Sequence, residues 1–233
     1  MAIGGVVELL TNAVESSSSL LLQGALVTIQ LWICSSLVSF IMGTCAGVFR
    51  CDHFRVAYFS SFLDGITFLF RGVPFYVQLL IAYFVVPNIL GLHVSGFLAG
   101  FISLGLCSAS YVSQIVRIGI NAIPIGQWEA AQVLGYSHIN TIRYIIIPQM
   151  IRIVLPALFG EFDQLLKSTS IISTIGVLEL TGALRTIVGQ SINQLTIYAV
   201  LALIYLSIST ILGLIAWWLE KRLSVDYNNN SNE

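Results

Sequence analysis

The chain has 233 residues, 57% of them hydrophobic and 9% charged, with a mean hydropathy of +0.90. Soluble globular domains carry about 25% charged residues, so the composition excludes a soluble fold and predicts an all-α integral membrane protein. A net charge of −1 gives no electrostatic case for binding nucleic acid.

The N-terminus has no basic segment, and its first apolar run is longer than a signal-peptide core, which predicts a retained span. That span covers about Leu20–Phe49, thirty residues without a charge, or roughly 45 Å of helix. The preceding Ser16–Ser19 run suits a loop or helix cap. A second span is expected over about Val56–Val86, stopped by Pro87-Asn88, and a third over about Gly96–Ile120, closed by Asn121 and Pro124. A fourth covers about Thr141–Lys167 with interruptions near Pro148 and Pro156, and a fifth about Leu195–Leu219. Ser170–Gln190 is polar and Gly-rich and reads as a short helix and loop. Cys34, Cys45, Cys51 and Cys107 lack ligand spacing and read as small buried apolar residues. His53, His93 and His138 are isolated in the sequence, and no metal site follows from them.

Orientation follows from Lys and Arg. With five spans and a cytoplasmic C-terminus, Arg50, Arg55, Arg117, Arg143, Arg152, Lys221 and Arg222 fall on the cytoplasmic side, against Arg185 outside. Residues 1–19 then form an external segment, 20–222 the helical core and 223–233 a cytoplasmic tail. Trp217 and Trp218 beside Glu220-Lys221-Arg222 read as an interfacial anchor. The third and fourth spans are joined on the cytoplasmic side by Gly126-Gln127-Trp128-Glu129-Ala130-Ala131-Gln132-Val133-Leu134, rich in helix formers. Glu129 suits the positive end of that helix, Gly135 suits its C′ position, and Ser137 suits the cap of the next helix. Taken alone, this is either a surface helix that merely joins two spans or a handle for another protein.

Glu129-Ala130-Ala131, Gly135 and Pro148 form a long pattern that resembles the cytoplasmic coupling motif in the membrane-spanning subunits of bacterial ABC importers, specifically the polar amino-acid permease group. Leu69-Phe70-Arg71-Gly72-Val73-Pro74, Ile123-Pro124-Ile125-Gly126-Gln127-Trp128, Leu165-Leu166-Lys167-Ser168-Thr169-Ser170 and Ile175-Gly176-Val177-Leu178-Glu179-Leu180 look like the same group. The resemblance runs from about Leu20 to Leu223. It implies five transmembrane helices with a short coupling helix between the third and fourth, in a multi-pass protein of the bacterial inner membrane. It also implies that Gln127, Trp128, Glu129, Ala130, Ala131, Leu134 and Gly135 dock on a cytoplasmic ABC ATPase. The further partners implied are a second permease subunit, identical or similar, and an extracytoplasmic solute-binding protein. The two lysines, Lys167 and Lys221, lie in no GxxxxGK[ST] segment, so ATP and Mg are expected on the partner ATPase and no cofactor on this chain.

Asp64, Arg71, Glu161, Asp163 and Lys167 sit in or near spans, where a charge must face protein or water. Asp163 and Lys167 are one helical turn apart, so they either neutralise each other or line a polar cavity for a zwitterion. By resemblance, Glu161, Asp163, Lys167, Thr169, Ser170 and Arg71 are the candidate substrate-pathway residues. Arg71-Gly72-Val73-Pro74 also has a structural reading as a kink. Phe68 and Asp163 depart from the family pattern, which usually carries glutamate and an apolar residue there. The extra acid at Asp163 gives the expectation of a basic amino acid as cargo. A secondary transporter or channel subunit is the alternative, but it leaves the Glu129–Gly135 helix without a role. A membrane enzyme would need convergent nucleophiles or metal ligands, and the sequence offers none.

Overall fold

The computed structural model describes residues 2–188 and 194–229, and the described chain is helical and strand-free. Helix α1 is Ala2–Arg50, followed by a single turn at Asp52–Phe54. Helix α2 is Ala57–Gly72, and α3 is Phe75–Leu90 with one wide π turn at Ile81–Val85. Helix α4 is Gly96–Asn121 and the short α5 is Ile125–Val133. Helix α6 is His138–Ile175, with a π turn at Ile142–Ile146 and a tight 3-10 end over Thr169–Ile175. Helix α7 is Leu180–Val188 and α8 is Gln194–Asn229.

Four stretches are long and apolar enough to cross a membrane: Ser18–Arg50, Gly96–Asn121, His138–Ile175 and Tyr198–Arg222. The pair α2 and α3 makes a fifth if it is counted as one broken span. The break is the expected kink at Arg71-Gly72-Val73-Pro74. Val73 and Pro74 are extended, and the Val73 N–H still closes α2 on the Leu69 carbonyl.

The other boundaries differ from expectation in instructive places. No loop or cap forms at Ser16–Ser19. The helix runs through from Ala2 without a break. Pro87 does not stop α3, which runs on to Leu90, and Pro148 does not interrupt α6. Each proline stands two residues after the end of a π turn. The wider turn makes room for the ring and lessens the effect of the missing N–H. At the second site the Gln149 side-chain amide donates to the Ile145 carbonyl at 2.9 Å. Pro156 also lies inside continuous helix. Ser170–Gln190 is no span: the 3-10 end and α7 occupy it as far as Val188, and Gly189 and Gln190 lie outside the described residues.

The chain divides into two compact units, the first Met1–Ser36, Pro74–Gly105 and Gln164–Ile211, the second Leu37–Val73, Leu106–Asp163 and Leu212–Glu233. The first is centred on Leu31, Leu79, Ala99, Leu104, Leu165 and Ile172, with a satellite of Leu180, Leu184 and Ile187 against Leu20, Leu21 and Tyr205. The second packs Val112, Val116, Ile120, Trp128, Ile146, Val154 and Leu158. Large apolar residues such as Leu22, Ile41, Phe62, Ile89, Leu203 and Leu214 remain on the surface, as a lipid-facing exterior requires. Cys34 and Cys45 share that exterior, and of the four cysteines Cys51 is the buried one. Near the end of α8, Lys221 Nζ lies 5.1 Å from the Trp217 ring and the Arg222 guanidinium 4.1 Å from the Trp218 ring, which fits an interfacial anchor.

In the second unit α1 meets α4 through Gly43 and Gly47, a small-x-x-x-small pair. A Cβ at Gly43 would lie 2.6 Å from Val112 Cβ and 2.8 Å from the Ala109 carbonyl, and one at Gly47 would lie 2.7 Å from the Ser113 carbonyl. Backbone blocks both positions, so a side chain must push the helices apart. Gly43→Leu is expected to cost about 1–3 kcal/mol, seen as a lower melting temperature of the detergent-purified protein.

Candidate functional site

The polar insert folds as expected, and its local chemistry explains why. Pro124 enters α5 from extended backbone. At the other end the Gly135 N–H donates to the Gln132 carbonyl and the Tyr136 N–H to the Ala131 carbonyl, both at 3.0 Å. With Gly135 at φ +77°, this is a Schellman end, which satisfies carbonyls that would otherwise be orphaned. Ser137 then caps the start of α6, its Oγ accepting from the Asn140 N–H at 3.4 Å.

The expected docking residues separate into two faces. Trp128 and Ala131 are buried, whereas Gln127, Glu129, Ala130, Leu134 and Gly135 are exposed. Trp128 stacks on His53 with ring centroids 4.1 Å apart and planes 13° from parallel, and meets Phe54 edge-on at 6.0 Å. His138 closes the cluster at 6.2 Å from Trp128 and 6.0 Å from Phe54. His53 and His138 are therefore not isolated: they brace α5 from the Asp52–Phe54 turn and from the start of α6. Gln127 accepts from the Gln149 side chain at 3.3 Å. What the helix presents outward is an apolar patch, with Ala130 beside Val133 (87% exposed) and Leu134 (73% exposed) and Ile139 exposed just beyond, flanked by the polar Glu129 and Gln132.

The candidate pathway residues divide between the units. In the second, Glu161 accepts from Ser108 Oγ at 2.7 Å, Asp163 is half-buried, and exposed Arg71 sits 5.7 Å from the Tyr111 ring. In the first, Lys167 is exposed, and Thr169 is buried with its hydroxyl donating to the Leu166 carbonyl at 2.6 Å. Ser170 donates to the Lys167 carbonyl at 2.7 Å.

Glu179, in the Ile175–Leu180 segment, has a role that the sequence does not reveal. It is fully buried. Its Oε1 accepts from the Gly182 N–H at 2.8 Å, and its Oε2 accepts from the Thr181 N–H at 3.0 Å, Tyr205 Oη at 3.3 Å and Thr28 Oγ1 at 3.4 Å. Thr28 in turn accepts from the Leu180 N–H at 3.0 Å. One carboxyl thereby joins the start of α7 to α1 and α8 within the first unit. Burial pushes this carboxyl above the ordinary glutamate range, and the donated hydrogen bonds pull it part of the way back. The available signal was local: an acid immediately before a helix, in Glu179-Leu180-Thr181-Gly182, placed to accept from the first free N–H groups.

Continuous apolar helices, a broken span and a short braced helix define a multi-pass membrane protein. The chain belongs to the family of binding-protein-dependent transport system inner membrane components, whose profile matches residues 35–225. It is 32% identical over 203 residues to the arginine transport system permease protein ArtQ of Bacillus subtilis (strain 168), covering 87% of this chain and 92% of that one. Among solved structures it is similar to an amino acid ABC transporter crystallised with histidines, at a TM-score of 0.80 and 31% identity, over 88% of this chain and 94% of that chain. The inward-facing MetNI methionine ABC transporter shares the fold at a TM-score of 0.76 and 18% identity, over 90% and 98% of the two chains. This chain is a permease subunit, the membrane component of an ABC transport system.

Proposed function

We propose that the protein is the translocation subunit of an ATP-driven importer of basic amino acids, worked by a separate ABC ATPase that docks on α5. The observation that carries the docking reading is the exposed apolar face of Ala130, Val133 and Leu134 on a helix pinned from behind by Trp128. A short rigid helix of this kind passes a push to the spans it joins, since Trp128 ties it to the α1–α2 turn and Ser137 leads it directly into α6. Of the expected docking set, Gln127, Glu129, Ala130, Leu134 and Gly135 form or border the contact surface, and Trp128 and Ala131 hold it in place. ATP and Mg belong to the ATPase. In this reading α2 and α3 count as one span of five, the N-terminus is outside, and the C-terminus and α5 are cytoplasmic. A second permease subunit, identical or similar, completes the pathway, and an extracytoplasmic binding protein delivers the solute.

Three things support a basic cargo: the arginine and histidine named for the two relatives, and the second acid, Asp163, two residues after Glu161. Glu161 and Asp163 are assigned to the cationic side chain and ammonium of the solute. Arg71, Lys167, Thr169 and Ser170 are assigned to the rest of the pathway. Proteoliposomes holding the intact transporter should take up arginine with ATP inside and not without it. Asp163→Asn should lower the preference for arginine over glutamine about tenfold, the worth of one ~1.4 kcal/mol interaction. Uptake that ignores ATP would defeat the transport reading, and an unchanged preference would remove Asp163 from specificity.

A further inference from the structure

Outside these sites, three ion pairs found among the described residues of the second unit gather where α1, α2 and α4 meet. Asp64 on α2 receives Arg50 Nε at 2.8 Å, Arg55 Nη2 at 3.4 Å and Arg117 Nη1 at 3.4 Å. Three guanidiniums around one carboxylate leave a formal excess of two positive charges. Asp52, the acid nearest in sequence, accepts instead from the Asn121 side-chain amide at 2.9 Å.

The three arginines differ in what they have left to offer. Arg50 is buried, and its terminal nitrogens donate to Ser113 Oγ at 2.8 Å and Gln114 Oε1 at 3.2 Å, so it is a fixed structural charge. Arg55 and Arg117 are partly exposed, with 43% and 28% of their side chains accessible. Each meets Asp64 through one Nη, a small part of a five-donor fork. Asp64 thus orients both guanidiniums without neutralising them.

Position and surroundings say which anion fits. Arg50 is the last residue of the span Ser18–Arg50, and Arg117 lies four residues before the end of Gly96–Asn121, so the excess charge sits at the edge of the hydrocarbon layer. From Arg55 an exposed apolar stripe follows α2 at helical spacing through Phe59, Phe62 and Ile66. Phe49 meets Phe59 edge-on at 5.4 Å and broadens the stripe. A free anion would use the charges alone, whereas a phospholipid uses both, with its phosphodiester on the arginine forks and an acyl chain along the stripe.

We propose that Arg55 and Arg117, held by Asp64, form a binding site for the phosphodiester of an anionic phospholipid whose acyl chain lies on Phe59, Phe62 and Ile66. The site sits beside the α1–α2 turn whose His53 and Phe54 brace Trp128, so its occupancy steadies the turn that supports α5.

The test is native mass spectrometry of the intact detergent-purified transporter offered equal amounts of phosphatidylglycerol and phosphatidylcholine. Wild type should retain phosphatidylglycerol in clear excess, and Arg55→Gln should cut that excess about fivefold, in line with one arginine at a charged lipid surface. Arg55→Gln leaves Arg50 and Arg117 on Asp64, so it should fold. Arg143→Gln, a change at an exposed arginine outside the cluster, should leave the excess intact. Phe62→Ser should lower retention of both lipids, and added inorganic phosphate should not displace either. Equal retention of the two lipids by wild type, full retention by Arg55→Gln, or displacement by inorganic phosphate would each overturn the proposal. Cross-linking of two permease chains through Phe62→Cys would also overturn it, because the stripe would then face a subunit and not a lipid.

Discussion

Glu179→Leu is expected to be among the most destabilising single substitutions in this protein. The leucine would remove an acceptor shared by the Gly182 and Thr181 N–H groups and the hydroxyls of Tyr205 and Thr28. Each buried donor left without a partner costs roughly 1–3 kcal/mol, so the total is several kcal/mol even after the hydroxyls rotate to other acceptors. The lesion falls on a junction, since this side chain joins the start of α7 to Thr28 on α1 and Tyr205 on α8, beside the direct Leu180–Thr28 and Thr181–Tyr205 hydrogen bonds. Purified Glu179→Leu should therefore aggregate or melt well below wild type. Glu179→Gln keeps the shape and one carbonyl acceptor but turns an amide toward backbone N–H groups. It should lie between the two, and a leucine variant as stable as wild type would show that the network contributes nothing.

The same carboxyl sets a pH dependence whose sign can be worked out. Burial holds its folded-state pKa above the unfolded value, so between those two values the folded protein binds more protons than the unfolded chain. Stability then falls as pH rises across that window. This contribution is complete below the ordinary glutamate range and is lost as pH passes the raised folded value. Melting curves of wild type and Glu179→Gln between acidic and neutral pH should converge toward neutrality, because the glutamine cannot ionise. Parallel curves would assign the pH dependence to other groups.

How far the sequence carries depends on whether a feature is set by neighbours along the chain or by residues brought from afar. The end of α5 is local: Gly135 and Ser137 announce a cap, and both take the expected conformations. The break after Arg71-Gly72 is likewise written in adjacent residues. Pro87 and Pro148 mislead because the compensating π turns at Ile81–Val85 and Ile142–Ile146 leave no mark in composition. Ser16–Ser19 misleads because serine suits a cap but is tolerated within a helix. The Glu179 network stays hidden because Thr28 lies 151 residues away and Tyr205 lies 26 residues away. The stacking of His53 on Trp128 is hidden for the same reason. In a chain this apolar, the positions of buried polar groups depend on which helices pack together, and hydropathy alone does not choose the pairs.

Gly135→Val should abolish coupling while leaving the subunit assembled. Gly135 adopts φ +77°, and a Cβ there would meet nothing within 4 Å. The penalty of substitution is therefore one of backbone conformation and not of crowding. A β-branched residue in this region costs more than the roughly 1–2 kcal/mol of an ordinary side chain. It is relieved by opening the two 3.0 Å hydrogen bonds that end α5. Leu134, immediately before the glycine, would then lose its place on the outward face. Uptake and substrate-stimulated ATPase of the reconstituted transporter should fall at least about tenfold, the effect of a ~1.4 kcal/mol shift in the docked state. Gly135→Asn separates this account from one in which the ATPase touches the glycine itself, because asparagine accepts the left-handed conformation far better than valine. If conformation is the cause, the asparagine variant should transport within about twofold of wild type. If it failed as badly as valine, the lack of a side chain at position 135 would be what the partner reads. Normal coupling in the valine variant would remove α5 from the power stroke altogether.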